Sequence, residues 1–225
     1  MIVAALFGVY VGGSIIFLLI KFWARTWFFL CGISHENEGA RPDNLQGPFI
    51  YVANHDSYLD APVTMLSLRG QFRALGKEEI RRVPVFGWIY RYGVILVDRS
   101  DKVNRAKSIR ILKHVLSKKI SIIIFPEGGF NYSEKPLSKF FDGAFRIAIE
   151  TQTPIVPMVY LNVKNILPRD SFFKMSPGKT KTIFLENVPV AGLTLDNLSD
   201  LKNQVMKMIE TEIVKNEIRN KLIFK

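Results

Sequence analysis

The 225-residue sequence predicts an α/β fold with a mostly parallel, layered sheet flanked by helices. Short apolar runs rich in Ile and Val alternate with segments of helical periodicity, which is typical of parallel strands joined by crossover helices. Apolar residues make up 48% of the chain, enough for one sizeable core. We therefore expect a single layered domain behind any N-terminal extension.

The predicted elements follow one another along the chain. A strand over 49–53 precedes a helix over 61–68, whose first turn contains Pro62, a position that suits proline. Residues 102–116 repeat apolar side chains at helical spacing opposite Lys and Arg, and 120–125 is a run of isoleucines typical of a buried strand. The remaining predictions are strands at 93–97, 155–161 and 182–185, helices at 144–149 and 198–214, and a basic end over 215–225 expected to fray or to touch lipid.

The first residues predict a membrane segment. Residues 1–20 carry no charge, and as a helix they would rise about 30 Å, roughly the hydrocarbon thickness of a bilayer. Lys21 and Arg25 interrupt the apolar run, and an aromatic-rich piece follows over 22–30, as is common at membrane interfaces. If the first helix spans, the two basic residues place the rest of the chain on the cytoplasmic side.

Three alternatives concern this segment. A cleaved signal peptide is disfavoured, because no basic residue precedes the apolar run and aromatic residues follow it. A spanning helix and a bent, half-inserted hairpin both stay open, since Gly12-Gly13-Ser14 would weaken a straight helix. The domain organisation predicted is a membrane-anchoring part over 1–33, a polar linker over 34–48 and a catalytic domain over 49–225.

The charge balance indicates an anionic partner. The chain has 31 Lys and Arg against 20 Asp and Glu, a net charge of +11. A nucleic acid is disfavoured, because the charges accompany an apolar membrane segment and no reading motif is present. The single cysteine excludes an internal disulfide, and no Cys/His cluster has metal-ligand spacing, so we expect no metal.

His55 and Asp60 form the most informative pair in the sequence. They follow the carboxyl end of a predicted strand. Open α/β sheets bind their ligands and substrates at the carboxyl ends of the strands. In a continuous helix, positions five apart do not face each other, so the pair meets only if His55 lies in the turn before a helix that begins near Asp60. The carboxylate would then hold one imidazole nitrogen and leave the other free to accept a proton. Taken alone, the spacing is more typical of an ordinary capped helix start than of a catalytic pair.

Three further motifs are weak when each is taken alone. Phe125-Pro126-Glu127-Gly128-Gly129 directly follows a predicted strand and joins a carboxylate to a flexible backbone. Lys77 and Arg99 are cations near predicted loops, which suits phosphate recognition as well as a solvated surface. Val156-Pro157 opens another predicted strand.

The order of these motifs resembles the glycerolipid acyltransferase family. Asn54-His55-x4-Asp60, the 93–99 strand ending at Arg99, Phe125-Pro126-Glu127-Gly128 and Val156-Pro157 occur in that succession over residues 45 to 165. The length and the apolar N-terminus are similar to those of the bacterial lysophosphatidic acid acyltransferases. In that group the N-terminus is a two-helix membrane-docking element, which the resemblance implies for residues 1–33.

The resemblance implies direct transfer of a fatty acyl group to a lysolipid hydroxyl. His55 would be the general base and Asp60 would orient it, while Asn54 supports the loop. The implied substrate-binding residues are Asn54, Lys77, Arg99, Phe125, Pro126, Glu127, Gly128 and Gly129. The implied partners are membrane lipid, lysophosphatidic acid, and an acyl carrier protein or coenzyme A thioester as co-substrate, with no other cofactor. An acyl-enzyme route lacks a recognisable nucleophile motif, and Ser57 is its only candidate.

One departure bears on the acceptor. The third motif of the family usually continues Glu-Gly-Thr-Arg-Ser, with its arginine associated with the acceptor's phosphate, whereas Phe130 stands at the arginine position here. Either another cation (Arg99, Lys77, Lys135 or Lys139) binds the phosphate, or the acceptor is a different lysolipid such as a lyso-aminolipid. Phe141-Asp142-Gly143-Ala144-Phe145 agrees with a common downstream motif of the family.

The expected location is the bacterial inner membrane, with the catalytic domain on its cytoplasmic face. A non-catalytic membrane adaptor with a basic surface is the competing class. Such an adaptor would have no need for His55 and Asp60 together.

Overall fold

The computed structural model describes residues 8–42, 47–76, 94–96, 102–170 and 174–223. Within these residues, the strands are β1 (Ile33–Gly39), β2 (Ile50–Ala53), β3 (Phe72–Gly76), β4 (Val94–Leu96), β5 (Ser121–Ile124), β6 (Ile155–Leu161) and β7 (Gly178–Phe184). The helices are α1 (Gly8–Leu30), α2 (Asp60–Ser67), α3 (Lys102–Ser117), α4 (Gly143–Thr151), α5 (Val163–Ile166) and α6 (Leu198–Ile223).

All seven of these strands belong to one sheet, in the order β1-β7-β6-β2-β5-β3-β4. Neighbouring strands are parallel except for β6 and β7, which are antiparallel. The prediction of a mostly parallel sheet flanked by helices is therefore confirmed. The strand β2 lies between β5 and β6, with Ile50 opposite Ile122 and Ile155, so its carboxyl end opens at the centre of the sheet.

Alternate residues of β2 enter two separate cores. Ile50 and Val52 pack with apolar residues of α3, α4 and α6 on one face of the sheet. Tyr51 and Ala53 pack with apolar residues of α1 and α2 on the other. All four residues of β2 are buried, because both faces of the strand are covered, which explains its unbroken apolar sequence.

The N-terminal region differs from the predicted two-helix element. Residues 8–30 form one continuous helix, and neither Gly12-Gly13-Ser14 nor the basic pair Lys21 and Arg25 interrupts it. Phe17, Ile20, Ala24 and Phe28 are buried on one face of α1 at helical spacing, and this packing carries the helix past the charged residues. No helix among the described residues combines the length and the apolar character needed to cross a bilayer.

The first part of the predicted linker is a strand. Residues 33–39 form β1, which pairs in parallel with β7 from Ile33 opposite Gly178 to Gly39 opposite Phe184. Its sequence is polar because β1 lies at the edge of the sheet, where charged side chains suit exposure to water. Glu36 and Glu38 form ion pairs with Lys179 and Lys181 of β7.

Three other segments differ from the sequence predictions. The strand β3 was not predicted, because its short sequence Phe-Arg-Ala-Leu-Gly shows no clear alternation. The strand β7 begins at Gly178 rather than at 182, since its first half is polar. The helix α6 continues to Ile223, so the end over 215–223 is helical rather than frayed, and Asn216 donates to the backbone oxygen and the carboxylate of Glu212 on that stretch.

Candidate active site

His55 and Asp60 meet in the turn between β2 and α2. The strand ends at Ala53 and the helix begins at Asp60, so His55 lies in the intervening turn, as the spacing required. Nδ1 of His55 lies 2.7 Å from Oδ2 of Asp60. The His55 side chain is 25% exposed, whereas that of Asp60 is 1% exposed. One edge of the His55 imidazole is therefore accessible to solvent, whereas the carboxylate of Asp60 is buried.

The carboxylate of Asp60 is held in one orientation by three donors. Oδ2 accepts hydrogen bonds from the backbone amides of Asp56 at 2.9 Å and Ser57 at 3.1 Å, in addition to the bond from His55. Burial raises the pKa of Asp60, and these hydrogen bonds oppose that rise. An ionised Asp60 makes Nδ1 of His55 a proton donor, which leaves Nε2 as the nitrogen that can accept a proton.

Glu127 fixes the backbone of His55 from the opposite side. Its Oε1 accepts the amide of His55 at 2.8 Å, and its Oε2 accepts the amide of Ser138 at 2.7 Å. The residue is 7% exposed, and burial raises the pKa of Glu127 to about 6, although both amides favour the charged form. Because both carboxylate oxygens already accept from the backbone, Glu127 ties the 125–138 loop to the His55 turn.

The titration of Glu127 predicts a pH-dependent stability. Its folded-state pKa of about 6 exceeds the ordinary value of 4.5, so the stabilisation from this group is full below 4.5 and is lost as the pH rises through about 6. Glu127→Gln removes this titration. Between about pH 4.5 and pH 7, the free energy of unfolding of the variant should gain about 2 kcal/mol on that of the wild type.

Chemical denaturation at a series of pH values measures this difference. Glu150→Gln is the matched control, because Glu150 is an exposed glutamate paired with Lys113. This control should not show the gain, because its carboxylate is ion-paired at the surface rather than buried. Parallel profiles for Glu127→Gln and the wild type would contradict the assignment.

Two buried asparagines hold the loops around the pair. Asn54 donates to Asp56 Oδ2 at 2.9 Å and to the carbonyl of Tyr160 at 3.0 Å, and it accepts the Tyr160 amide at 2.8 Å. Asn131 donates its backbone amide to the carbonyl of His55 at 3.1 Å. The Asn131 Oδ1 accepts the hydroxyl of Ser138 at 2.9 Å. Asn54 therefore ties the His55 turn to β6, and its side chain is 1% exposed.

Aromatic rings surround the imidazole. Phe125 stacks on the His55 ring with centroids 4.3 Å apart, and the ring of Phe130 meets it edge to face at 4.5 Å. Phe130 also contacts Tyr58 edge to face at 4.8 Å. Phe130 thus forms an apolar wall beside the exposed edge of His55.

Five further residues were predicted from the sequence to bind substrate, and the structure describes three of them. Gly128 adopts a positive φ of 75°, and its amide closes a turn onto the Phe125 carbonyl at 3.1 Å. A Cβ at Gly129 would meet nothing within 4 Å, so this backbone borders open space. Pro126 is buried, and its carbonyl accepts the Phe141 amide at 2.8 Å. Lys77 and Arg99 lie outside the described residues.

Ser57 does not have the geometry of a nucleophile. It is fully buried, and its hydroxyl donates to the carbonyl of Leu167 at 2.6 Å. The same oxygen accepts the amide of Leu59 at 3.1 Å. In the part of the chain that the structure describes, no group of three or more His, Cys, Asp and Glu side chains could hold a metal ion.

Sequence reasoning missed Asn131 and Ser138. The partners of these residues are distant in the sequence. Asn131 donates to the carbonyl of His55, 76 positions earlier, and accepts from Ser138, 7 positions later. The only signal in the sequence is the concentration of polar residues just after the Glu127 motif, which also fits an exposed loop.

Residues 33–161 match the family model described as Acyltransferase. This span covers more than half of the chain and includes His55, Asp60 and Glu127. The chain belongs to the acyltransferase family.

Named relatives of this family member come from plants, animals and bacteria. A chloroplast 1-acyl-sn-glycerol-3-phosphate acyltransferase of Brassica napus is 32% identical over 68% of this chain and 44% of its own length. The human 1-acyl-sn-glycerol-3-phosphate acyltransferase alpha is 30% identical over 79% of this chain and 62% of its own. The Haemophilus influenzae 1-acyl-sn-glycerol-3-phosphate acyltransferase is 25% identical over 87% of this chain and 80% of its own. The matched part of the chain spans less than half of the plant relative's length.

A solved structure shares the fold of this family member. The crystal structure of the 1-acyl-sn-glycerophosphate acyltransferase of Thermotoga maritima matches with a TM-score of 0.77 and 22% identity, over 92% of this chain and 81% of that one. The sheet and the helices around it are thus those of a known acyltransferase fold.

Proposed function

We propose that this protein transfers a fatty acyl group from an acyl thioester to the free hydroxyl of lysophosphatidic acid, which gives phosphatidic acid for phospholipid synthesis. The observation that carries the proposal is the 2.7 Å contact between His55 and the buried Asp60 at the carboxyl end of β2. Membership of the acyltransferase family and relatives named for this reaction support it.

The chemistry follows from the geometry of the pair. Nε2 of His55 takes the proton of the acceptor hydroxyl while that oxygen bonds to the carbonyl carbon of the thioester. The buried Asp60 stabilises the imidazolium that forms. When the tetrahedral intermediate collapses, the carbon–sulfur bond breaks, and the imidazolium returns the proton to the leaving thiol. Backbone amides hold the oxyanion in this scheme.

The acceptor depends on the surroundings of Phe130. A lysolipid without the phosphate, such as a lyso-aminolipid, is the alternative acceptor, and the apolar wall of Phe130 against His55 and Tyr58 favours it. For lysophosphatidic acid, the phosphate would be bound by other cations. Lys135 and Lys139 are exposed on the same loop, and Lys77 and Arg99 are the further candidates from the sequence.

A parallel assay separates the two acceptors. The purified full chain is offered acyl carrier protein and coenzyme A thioesters, each with lysophosphatidic acid and with a lyso-aminolipid. Phosphatidic acid as the main product supports the proposal, and product from the aminolipid alone would overturn the acceptor. The same assay shows which of the two thioester donors the protein prefers, because each donor is tested with each acceptor.

Phe130→Arg should shift the acceptor preference towards the phosphate. A charged hydrogen bond to a phosphate contributes about 1.5–3 kcal/mol, so kcat/KM for lysophosphatidic acid should rise roughly 10- to 100-fold relative to the aminolipid. Competition between the two acceptors in one vessel measures that ratio. Phe141→Arg is the control, because Phe141 is an exposed aromatic downstream of the loop and should leave the ratio unchanged. An equal change in both variants would mean that added surface charge alone is responsible.

We propose that the protein lies at the bacterial inner membrane, with the catalytic domain on the cytoplasmic face. The support is the exposed apolar side of α1, where Phe22, Phe29 and Leu30 are more than two-thirds exposed. Recovery of the full chain in the soluble fraction of lysed bacterial cells would contradict this location.

A further inference from the structure

Four cations gather at the end of the sheet away from His55. Lys21 and Arg25 lie one turn apart on α1, and Arg69 follows the end of α2. The Lys21 ammonium donates to the carbonyl of Leu68 at 2.6 Å, which joins α1 to α2 beside Arg69. The fourth cation is Arg41, just beyond β1. These four residues are called the basic cluster below.

The charge of the basic cluster is not balanced within the described residues. None of the ion pairs found there includes Lys21, Arg25, Arg41 or Arg69. The pKa of Lys21 is lowered to about 8, first by burial and then by the charges of Arg41, Arg25 and Arg69. Mutual repulsion of this kind is relieved when an anion binds.

Arg41 has a donor that no group of the described chain satisfies. Its Nε is buried and has no hydrogen-bond partner there. The guanidinium lies over the Phe184 ring, with Cζ 5.9 Å from the centroid, and burial lowers the pKa of Arg41. An unpaired buried donor next to three other cations is a position prepared for an acceptor oxygen.

The basic cluster borders the exposed apolar side of α1. Leu18, Phe22 and Phe29 are 68%, 71% and 82% exposed. At about 100° per residue, Lys21 and Arg25 lie on the flank of the stripe that these three side chains form. A helix that rests with this stripe in the bilayer interface holds its flanking cations at the depth of the lipid phosphates.

The basic cluster is too far from His55 to bind the acceptor's phosphate. The helix α2 runs from Asp60, beside His55, to Ser67, next to the cluster, and its eight residues rise about 12 Å. In lysophosphatidic acid the phosphate and the hydroxyl are separated only by a three-carbon glycerol unit. We propose that the basic cluster of Lys21, Arg25, Arg41 and Arg69 binds the phosphate of a second, anionic membrane phospholipid, which anchors the α1–α2 face on anionic bilayers.

Vesicle flotation of the full chain tests the proposal without any acyl transfer. Binding is compared between vesicles of pure phosphatidylcholine and vesicles that also contain phosphatidylglycerol. Arg25→Gln combined with Arg69→Gln should weaken binding to the anionic vesicles about 25-fold, from roughly fivefold per cation, and should leave binding to phosphatidylcholine unchanged. Lys118→Gln with Arg146→Gln removes two exposed cations on the opposite face, one just after α3 and one on α4, and this control should lose less than about twofold.

A third variant separates a phosphate site from a diffuse surface potential. Arg41→Lys keeps the charge but removes Nε, so a fixed site predicts a loss of roughly fivefold or more on anionic vesicles, and a diffuse potential predicts none. Equal losses in the control pair, or no loss in Arg41→Lys, would overturn the proposal. Release of the protein from anionic vesicles by inorganic phosphate, but not by chloride at equal ionic strength, would assign the site to free phosphate instead of lipid. His55→Ala should bind like the wild type, so this result is independent of the proposed reaction.

Discussion

Replacing His55 by alanine is expected to lower kcat/KM for acyl transfer by about 10²–10⁴-fold. The variant loses the nitrogen that accepts the hydroxyl proton, while Asp60 stays bound to the amides of Asp56 and Ser57. Initial rates with lysophosphatidic acid and a thioester donor measure the loss, with thiol release as the readout. Circular dichroism is recorded in parallel to show that the fold is retained.

His114→Ala is the matched control for this experiment. His114 is an exposed histidine near the end of α3, on the face of the sheet opposite α1 and α2. Its replacement should leave the rate within about twofold of the wild type, as for most surface substitutions. A His55→Ala variant that folds and keeps wild-type activity would exclude the general-base mechanism, and the non-catalytic adaptor would then be the better interpretation.

Asp60→Asn is expected to lower kcat on the order of 10³-fold, with little change in KM. An asparagine oxygen at the Oδ2 position can still accept the amides of Asp56 and Ser57 and the Nδ1–H of His55, so the turn and the ring tautomer should both be kept. The neutral amide, however, cannot stabilise the imidazolium that forms when Nε2 of His55 accepts the hydroxyl proton. Nitrogen chemical shifts of the His55 ring show whether the tautomer is kept in the variant.

The control for Asp60→Asn is the same change at an exposed aspartate. Asp142 pairs with Lys202 at 2.7 Å, and its side chain is 55% exposed. Asp142→Asn should retain full activity, since surface ion pairs contribute little. A small loss of kcat in Asp60→Asn with an unchanged ring tautomer would show that Asp60 has only a structural role.

The sequence was sufficient for the elements at the centre of the fold. The apolar runs at 49–53 and 155–161 correspond to β2 and β6, because a strand covered on both faces needs apolar side chains throughout. The geometry of His55 and Asp60 followed from the same pattern, since their separation by five residues is compatible with contact only across a strand–turn–helix junction. These features depend on neighbouring residues, whose spacing the sequence displays.

The edges of the fold could not be predicted in this way. The strand β1 has a polar sequence typical of a linker, and it becomes a strand because β7 offers a free edge about 145 residues later in the chain. The helix α1 continues past Lys21 because its inner face packs on α2 and the ammonium reaches the Leu68 carbonyl. Local propensity says nothing about such partners.

The sequence by itself determined the fold class, the junction that holds His55 and Asp60, and the basic charge of the chain. Only the tertiary structure showed that Glu127 accepts a hydrogen bond from the amide of His55 and that Phe130 packs against the His55 ring. It also showed that Arg41 lies close to Lys21 and Arg69. The physical reason is the range of the interactions. Helices, strands and turns follow from the chemistry of a few consecutive residues, whereas hydrogen bonds, ring contacts and clustered charges arise between segments that only the packed sheet brings together.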